Sequence, residues 1–195
     1  GLDNLIEITN FCIQKKIPYI SAFAMSSENF LRPSINFIYE IIIEQHINFL
    51  EKLNNNKKIK LNFIGELDKL PKKIHNIIEE VKYSTKDNIK INLNIILNYS
   101  SELELLNIVN QILISRNHNK LATLNDIKEN LYLRNIPEPD LLIRTGGYQR
   151  LSNFLLIYLK YTELCFTKTL WPDLDNNEID KIINDYINIK KNYGL

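Results

Sequence analysis

Residues 89–97 most narrow the folds open to this chain. Ile91, Leu93 and Ile95 alternate with polar neighbours, the two-residue period of a strand, and the run ends at Asn98-Tyr99. Helical periods flank it, with Ile74, Ile77, Ile78 and Val81 before it and Leu105, Ile108, Val109 and Ile112 facing inward after it. The same alternation recurs along the chain. Residues 2–16 read as a helix burying Leu5, Ile8, Phe11 and Cys12, and residues 19–25 as a strand. Ser34 caps a helix over about 35–53 whose buried stripe is Ile38, Ile41, Ile42 and Phe49. Residues 60–65 form a second strand, and Pro71 opens a helix to about residue 84. A shorter helix is predicted near 123–133. Leu141-Leu142-Ile143 then reads as a buried strand, followed by a glycine turn, an apolar helix, a strand through Leu164-Cys165-Phe166 and a last helix over about 177–188. Strands separated by helices pair in parallel. The expected fold is α/β, a single domain over 1–195 with a central, mostly parallel β-sheet flanked by helices.

Composition limits what such a domain binds. Lys plus Arg number 24 and Asp plus Glu 23, so bulk charge draws the 195-residue chain to neither nucleic acid nor a membrane surface. Anion recognition must come from local arginines, whose planar forks differ from the more numerous lysines. No apolar run reaches the ~20 residues that cross a bilayer. Cys12 and Cys165 lie far apart in apolar patterns, which predicts buried free thiols and a reducing compartment. Asn54-Asn55-Asn56-Lys57-Lys58 reads as a polar loop. Gly1-Leu2-Asp3 opens the chain without Met or a leader-like run, as the interior of a longer sequence would.

Three places carry chemistry. Arg144-Thr145-Gly146-Gly147-Tyr148-Gln149-Arg150-Leu151-Ser152 puts two arginines, a glycine pair and a hydroxyl after a strand. That layout suits phosphate, held by arginine forks and by backbone N–H groups at the glycines; an ordinary turn with solvated arginines is the other reading. Loop 25–33 holds Ser26, Ser27, Glu28, Asn29 and Arg32, either a second anion pocket or a capping loop with Arg32 paired to Glu28. Glu163 is a lone carboxylate amid apolar residues, either a Mg²⁺ ligand beside a diphosphate or the ion-pair partner of Arg144 or Arg150. Ligands of parallel sheets sit at the carboxyl ends of the strands, so loops 25–33, 98–102 and 144–152 are expected on one rim. His46, His75 and His118 have no carboxylate or cysteine at ligand spacing and read as surface or core histidines. Trp171-Pro172-Asp173 reads as core and turn.

Ala24-Met25-Ser26-Ser27-Glu28-Asn29-Phe30-Leu31-Arg32-Pro33 resembles the Ala-Phe-Ser-x-Glu-Asn-Trp-x-Arg-Pro motif of the cis-prenyltransferases, the undecaprenyl and dehydrodolichyl diphosphate synthases. The run from Asp140 through Arg144 and Gly147, with Arg150-Leu151-Ser152-Asn153-Phe154, is similar to that family's second signature. Tyr161-x-Glu163-Leu164 and Leu170-Trp171-Pro172-Asp173 continue it, and Ile64-Gly65, Thr85 with Asn88, and Asn98-Tyr99 match between.

The resemblance implies condensation of isopentenyl diphosphate with an allylic, farnesyl-type diphosphate to give a cis-polyprenyl diphosphate. It implies Mg²⁺, and a homodimer, or a heterodimer with a related subunit, enclosing an apolar tunnel. Arg144, Arg150 and Ser152, with Leu151 between them, would hold isopentenyl diphosphate; Glu163 would ligand Mg²⁺. Asn29 and Ser26 would stand where the proton is removed, and Ser27, Glu28, Phe30 and Arg32 would line the allylic side. A soluble or peripheral membrane protein at a cytoplasmic or endoplasmic-reticulum face is expected. The family's N-terminal Asp-Gly-x-x-Arg motif has no counterpart, Gly1 aligning with the helix that follows it. Ser100-Ser101-Glu102 replaces Gly-Gly-Arg, Tyr148 a Glu and Gln149 a His. These departures leave a second reading, a non-catalytic subunit derived from the family that binds and activates a catalytic one.

Overall fold

The computed structural model describes residues 1–54, 57–115 and 121–190, and the side chains among them other than those of residues 31 and 46–54. In chain order the first elements are α1 (Leu2–Gln14), β1 (Tyr19–Ser26), α2 (Ile35–Asn54), β2 (Ile59–Ile64), α3 (Lys72–Thr85) and β3 (Ile91–Tyr99). There follow α4 (Ser101–Ser115), α5 (Leu124–Asn130), β4 (Leu141–Arg144), β5 (Glu163–Phe166) and α6 (Asn176–Ile187). Phe49, His46, Asn55, Asn56 and His118, named above, fall outside the described side chains or residues. No helix among the described residues is long and apolar enough to cross a membrane. The chain packs as two compact units, Ile17–Pro137 and Gly1–Lys16 with the chain from Glu138 onward. Each has its own parallel sheet flanked by helices, as the alternating periods predict.

In the unit Ile17–Pro137 the strand order is β1-β3-β2, with β3 paired in parallel on both sides. A central strand has no solvent face, and Ile91, Leu93 and Ile96 are fully buried. The strand lies two residues further along than its periodicity suggests, running to Tyr99 and leaving Ile89 84% exposed. Polar Asn94 is buried too, and neighbouring strands satisfy it. Asn62 Nδ2 donates to its Oδ1 at 2.9 Å, and its own Nδ2 donates to Ser21 Oγ at 3.1 Å. The free edge of β2 is met by α3 and the turn after it. Leu61 N donates to Thr85 Oγ1 at 3.1 Å, and Asn88 Nδ2 donates to the Ile59 carbonyl at 2.9 Å.

Helix periodicity holds for α1, which buries Leu5, Ile8 and Cys12, and for α3, which buries Ile74, Ile78 and Val81. It fails for α4. The inward face there is Ser101, Glu104 and Ile108, while Leu105, Leu106, Val109 and Leu113 are exposed. The reason is a carboxylate. Glu104, fully buried, accepts from Tyr99 Oη at 2.6 Å and from Tyr132 N at 2.8 Å, and this pairing turns the polar side of the helix inward. In α2, Ile41 is 41% exposed and Ile38 and Ile42 are half-buried, so the stripe predicted there is not a buried one.

In the other unit α1 and α6 pack through Leu5, Ile8, Ile179 and Ile182, with a Lys15–Asp180 ion pair at the margin. β4 and β5 pair in parallel as a two-stranded sheet among the described residues, and β4 is half-buried rather than buried. The apolar helix predicted after the glycine turn is absent: residues 152–158 form turns. Ser152, Asn153 and Leu155 take left-handed φ values of 48°, 60° and 50°, which no right-handed helix accommodates. Leu155 and Tyr158 are buried nonetheless, so the apolar character serves packing. Both cysteines are free, Cys12 buried and Cys165 half-buried.

Candidate diphosphate site

β4 ends at Arg144, and the turn that follows brings back Arg150 and Ser152. Arg144 Nη1 donates to Ser152 Oγ at 3.0 Å and to the Arg150 carbonyl. Partial burial, then the like charge of Arg150, hold the Arg144 guanidinium below its ordinary value. Two cations side by side at an exposed turn favour an anion between or beside them. Arg150 in turn lies over the Tyr148 ring, its Cζ 4.3 Å from the ring centroid. Leu151 is half-buried between the two polar residues.

The glycine pair does something other than predicted. Gly146 and Gly147 take φ of 86° and 80°, and their N–H groups donate to the carbonyls of Thr169 and Thr167, each at 2.8 Å. Those donors are spent inside the protein, so an anion held at this turn would be met by side chains. The segment they bond is held from α6: Thr167 Oγ1 donates to Glu178 Oε1 at 2.5 Å and Thr169 Oγ1 to Glu178 Oε2 at 2.8 Å. Sequence reasoning missed Glu178. In sequence it is simply an acidic residue in the first turn of a helix, where Asp175 caps its N–H.

Glu163 does not join the arginines. It begins β5 opposite Leu141, whereas Arg144 stands opposite Phe166. Three register steps at ~3.3 Å put it roughly 10 Å along the ribbon, and the pleat turns it to the opposite face. Its N–H donates to the Asp140 carbonyl at 3.0 Å, and its half-buried side chain makes no ion pair among the described residues. Pairing with Arg144 or Arg150 is thus not its role here. One free carboxylate is the kind of donor Mg²⁺ takes from a protein when phosphate and water supply the remaining oxygens. No group of three or more His, Cys, Asp or Glu gathers for a metal among the described residues.

In the unit Ile17–Pro137, the pairing of Ser26 with Tyr99 at the carboxyl ends of β1 and β3 puts loops 26–33 and 98–102 on one rim. Loop 144–152 belongs to the other unit, at the end of β4. Ser27–Leu31 is a 3-10 turn, and Ser26 at its start makes no capping bond. Glu28 and Arg32 are exposed and form no ion pair among the described residues, so the self-satisfied capping loop is not what folds. Ser26, Ser27, Asn29 and Phe30 are half-buried, and Phe30 meets the Tyr39 ring edge-on at 6.0 Å. Across the rim Asn98 is left-handed and its Nδ2 donates to the Glu66 carbonyl at 3.0 Å. Ser100 Oγ accepts from Leu103 N at 3.3 Å, a helix cap at the position where the resembled motif has a glycine, and Ser100 and Ser101 are buried while Glu102 is exposed. Burial pushes Glu66 up, but hydrogen bonds from Tyr132 and Lys69 outweigh it and hold the carboxyl below its ordinary value.

A family profile described as putative undecaprenyl diphosphate synthase matches residues 1–194. The chain is 38% identical over 200 residues to an isoprenyl transferase of Rickettsia typhi, covering 100% of this chain and 85% of that protein. It is 33% identical over 201 residues to the ditrans,polycis-undecaprenyl-diphosphate synthase ((2E,6E)-farnesyl-diphosphate specific) of Legionella pneumophila (strain Paris), covering 100% and 84%. Among solved structures it is similar to a probable undecaprenyl diphosphate synthase from Campylobacter jejuni, with TM-score 0.88, 29% identity and coverage of 100% and 92%. It is also similar to lavandulyl diphosphate synthase from Lavandula x intermedia in complex with dimethylallyl diphosphate, with TM-score 0.91, 25% identity and coverage of 100% and 86%.

Proposed function

Because this chain belongs to the undecaprenyl diphosphate synthase family of cis-prenyltransferases, we infer that it elongates an allylic prenyl diphosphate with isopentenyl diphosphate to a cis-polyprenyl diphosphate. The observation that carries this is the cluster of Arg144, Arg150 and Ser152 in a chain matched by the family along its length. The match runs through both units, which supports one domain over 1–195.

Arg144 and Arg150 bind the isopentenyl diphosphate through their guanidinium forks; Ser152 Oγ fixes the Arg144 fork and offers its own proton to a phosphate oxygen. Leu151, half-buried between Arg150 and Ser152 in sequence, lines the same subsite. On the rim of the other unit, Arg32 and Ser27 serve the allylic diphosphate, Phe30 its apolar chain, and Glu28 the polar edge of that loop. Asn29 and Ser26 orient the carbon from which the proton leaves. Glu163 would hold Mg²⁺, which supplies positive charge to a departing diphosphate when bound. Each added C5 unit brings up to about 4 kcal/mol of burial free energy at ~0.8 per CH₂, a strong reason for an apolar tunnel. The outward apolar face of α4 supports a paired state with a second copy or a related subunit.

Incorporation of labelled isopentenyl diphosphate with a farnesyl-type primer tests the reading. Turnover should require Mg²⁺ and fall at least 100-fold in Arg144→Ala, and Glu163→Gln should raise the Mg²⁺ concentration for half-maximal rate. No incorporation unless a related catalytic subunit is added would favour the activating-subunit reading instead.

A further inference from the structure

The arginine turn is laced to the segment after β5 by its backbone. Thr167 N donates to the Arg144 carbonyl at 2.9 Å, Gly147 N to the Thr167 carbonyl and Gly146 N to the Thr169 carbonyl, both at 2.8 Å. Segment 167–169 is fixed in turn by one carboxylate. Glu178 accepts Thr167 Oγ1 on one oxygen at 2.5 Å and Thr169 Oγ1 on the other at 2.8 Å, while Thr169 N donates to Thr167 Oγ1 at 3.1 Å. Glu178 is itself anchored, its N–H capped by Asp175 Oδ1 at 2.8 Å. A continuous path of hydrogen bonds therefore runs from the first turn of α6 to the carbonyl of Arg144.

This path matters because of what the turn must do. Consecutive left-handed glycines form the most permissive backbone a chain has. The two guanidiniums on either side of them in sequence repel one another. Without an external brace the cations would spread apart, and an anion would have to pay for gathering them on binding. We propose that Glu178, with Thr167 and Thr169, is a positioning device for the anion site: it braces the Gly146-Gly147 turn so that Arg144 and Arg150 stand pre-arranged for a diphosphate that Glu178 never touches. The inference rests on the reading of Arg144–Ser152 as a diphosphate site.

Calorimetric titration with inorganic pyrophosphate in Mg²⁺-containing buffer tests it without depending on turnover. Glu178→Gln keeps the shape but leaves one threonine hydroxyl without its carboxylate acceptor, and Thr167→Val with Thr169→Val removes both hydroxyls. Each should weaken pyrophosphate about tenfold, the loss of a charge-assisted hydrogen bond expressed as affinity. Thr167→Ser with Thr169→Ser should bind within about twofold of the unsubstituted protein, and adding Glu178→Gln to the valine pair should cost nothing more, since both break one path. Thermal melts show which variants are folded at the titration temperature; if the valine pair is not, Glu178→Gln decides alone. Normal affinity in a folded Glu178→Gln, with Arg144→Ala impaired, would overturn the positioning role and leave the site reading standing. Unchanged binding by Arg144→Ala, or no saturable binding by the unsubstituted protein, would overturn both.

Discussion

The guanidinium of Arg150 lies over the ring of Tyr148, with Cζ 4.3 Å from the ring centroid. Both residues are exposed, where such a contact contributes about 0.5–1 kcal/mol. Tyr148→Ala should therefore raise the KM for isopentenyl diphosphate about two- to fivefold at unchanged kcat. Tyr148→Phe, which keeps the ring face, should match the unsubstituted protein. A kcat loss in Tyr148→Phe would show that the hydroxyl matters and the stacking does not.

Glu104 is the fully buried carboxylate of α4. Truncation to Ala leaves Tyr99 Oη and Tyr132 N without the acceptor each now has. Depriving a buried hydroxyl and a half-buried N–H at once should destabilise the fold by about 3 kcal/mol in urea unfolding. Glu102→Gln, exposed in the first turn of the same helix, should change the same measurement by less than about 1 kcal/mol.

Burial pushes the Cys12 thiol from its ordinary 9.0 up to about 11. The folded state favours the neutral thiol, so this contribution is complete below pH 9 and is lost as pH rises from about 9 to about 11. Stability plotted against pH should decline across that window, and Cys12→Ala should flatten the decline even though its cavity lowers stability at every pH. A thiol reagent at pH 8 should label half-buried Cys165 well before Cys12.

Gly65 and Gly146 should respond differently to alanine. At Gly65, φ is 128° and a Cβ would sit 1.8 Å from the Leu97 carbonyl oxygen, so β2 and β3 could not keep their pairing. At Gly146, φ is 86° and no atom lies within 4 Å of the added carbon. Gly146→Ala should cost about 1–2 kcal/mol of backbone strain. Gly65→Ala should give little soluble, folded protein.

The order of strands and helices was legible because each has its own hydrophobic period, and Leu5, Ile8, Ile74, Ile78 and Val81 are buried as those periods require. The inward face of α4 was not, because a period assumes that polar groups seek water, whereas Glu104 finds partners on Tyr99 and Tyr132, far outside its own helix for the second. Residues 152–158 look helical by composition; what prevents it is a left-handed backbone that serine and leucine do not announce. At the site, Arg144, Arg150 and Ser152 stand out as types within nine positions, and the turn brings them together. The role of the glycines is not legible in sequence, since whether an N–H is free depends on residues 167–169 after the neighbouring strand. Glu178 was invisible for the same reason.

Asn94 bridges Ser21 and Asn62 at matched positions in the three-stranded sheet. Slip either neighbour by one residue and this amide would meet Ile20 or Ala22 on one side, Leu61 or Phe63 on the other, with its own polar atoms stranded in the core. Apolar strands alone would tolerate many offsets; a polar rung tolerates one. From that rung the level of Ser26 against Tyr99, and with it the height from which Asn29 and Arg32 begin, is reached through two offsetting slips of the pairing, one at Ala24 on β1 and one at Asn98 on β3.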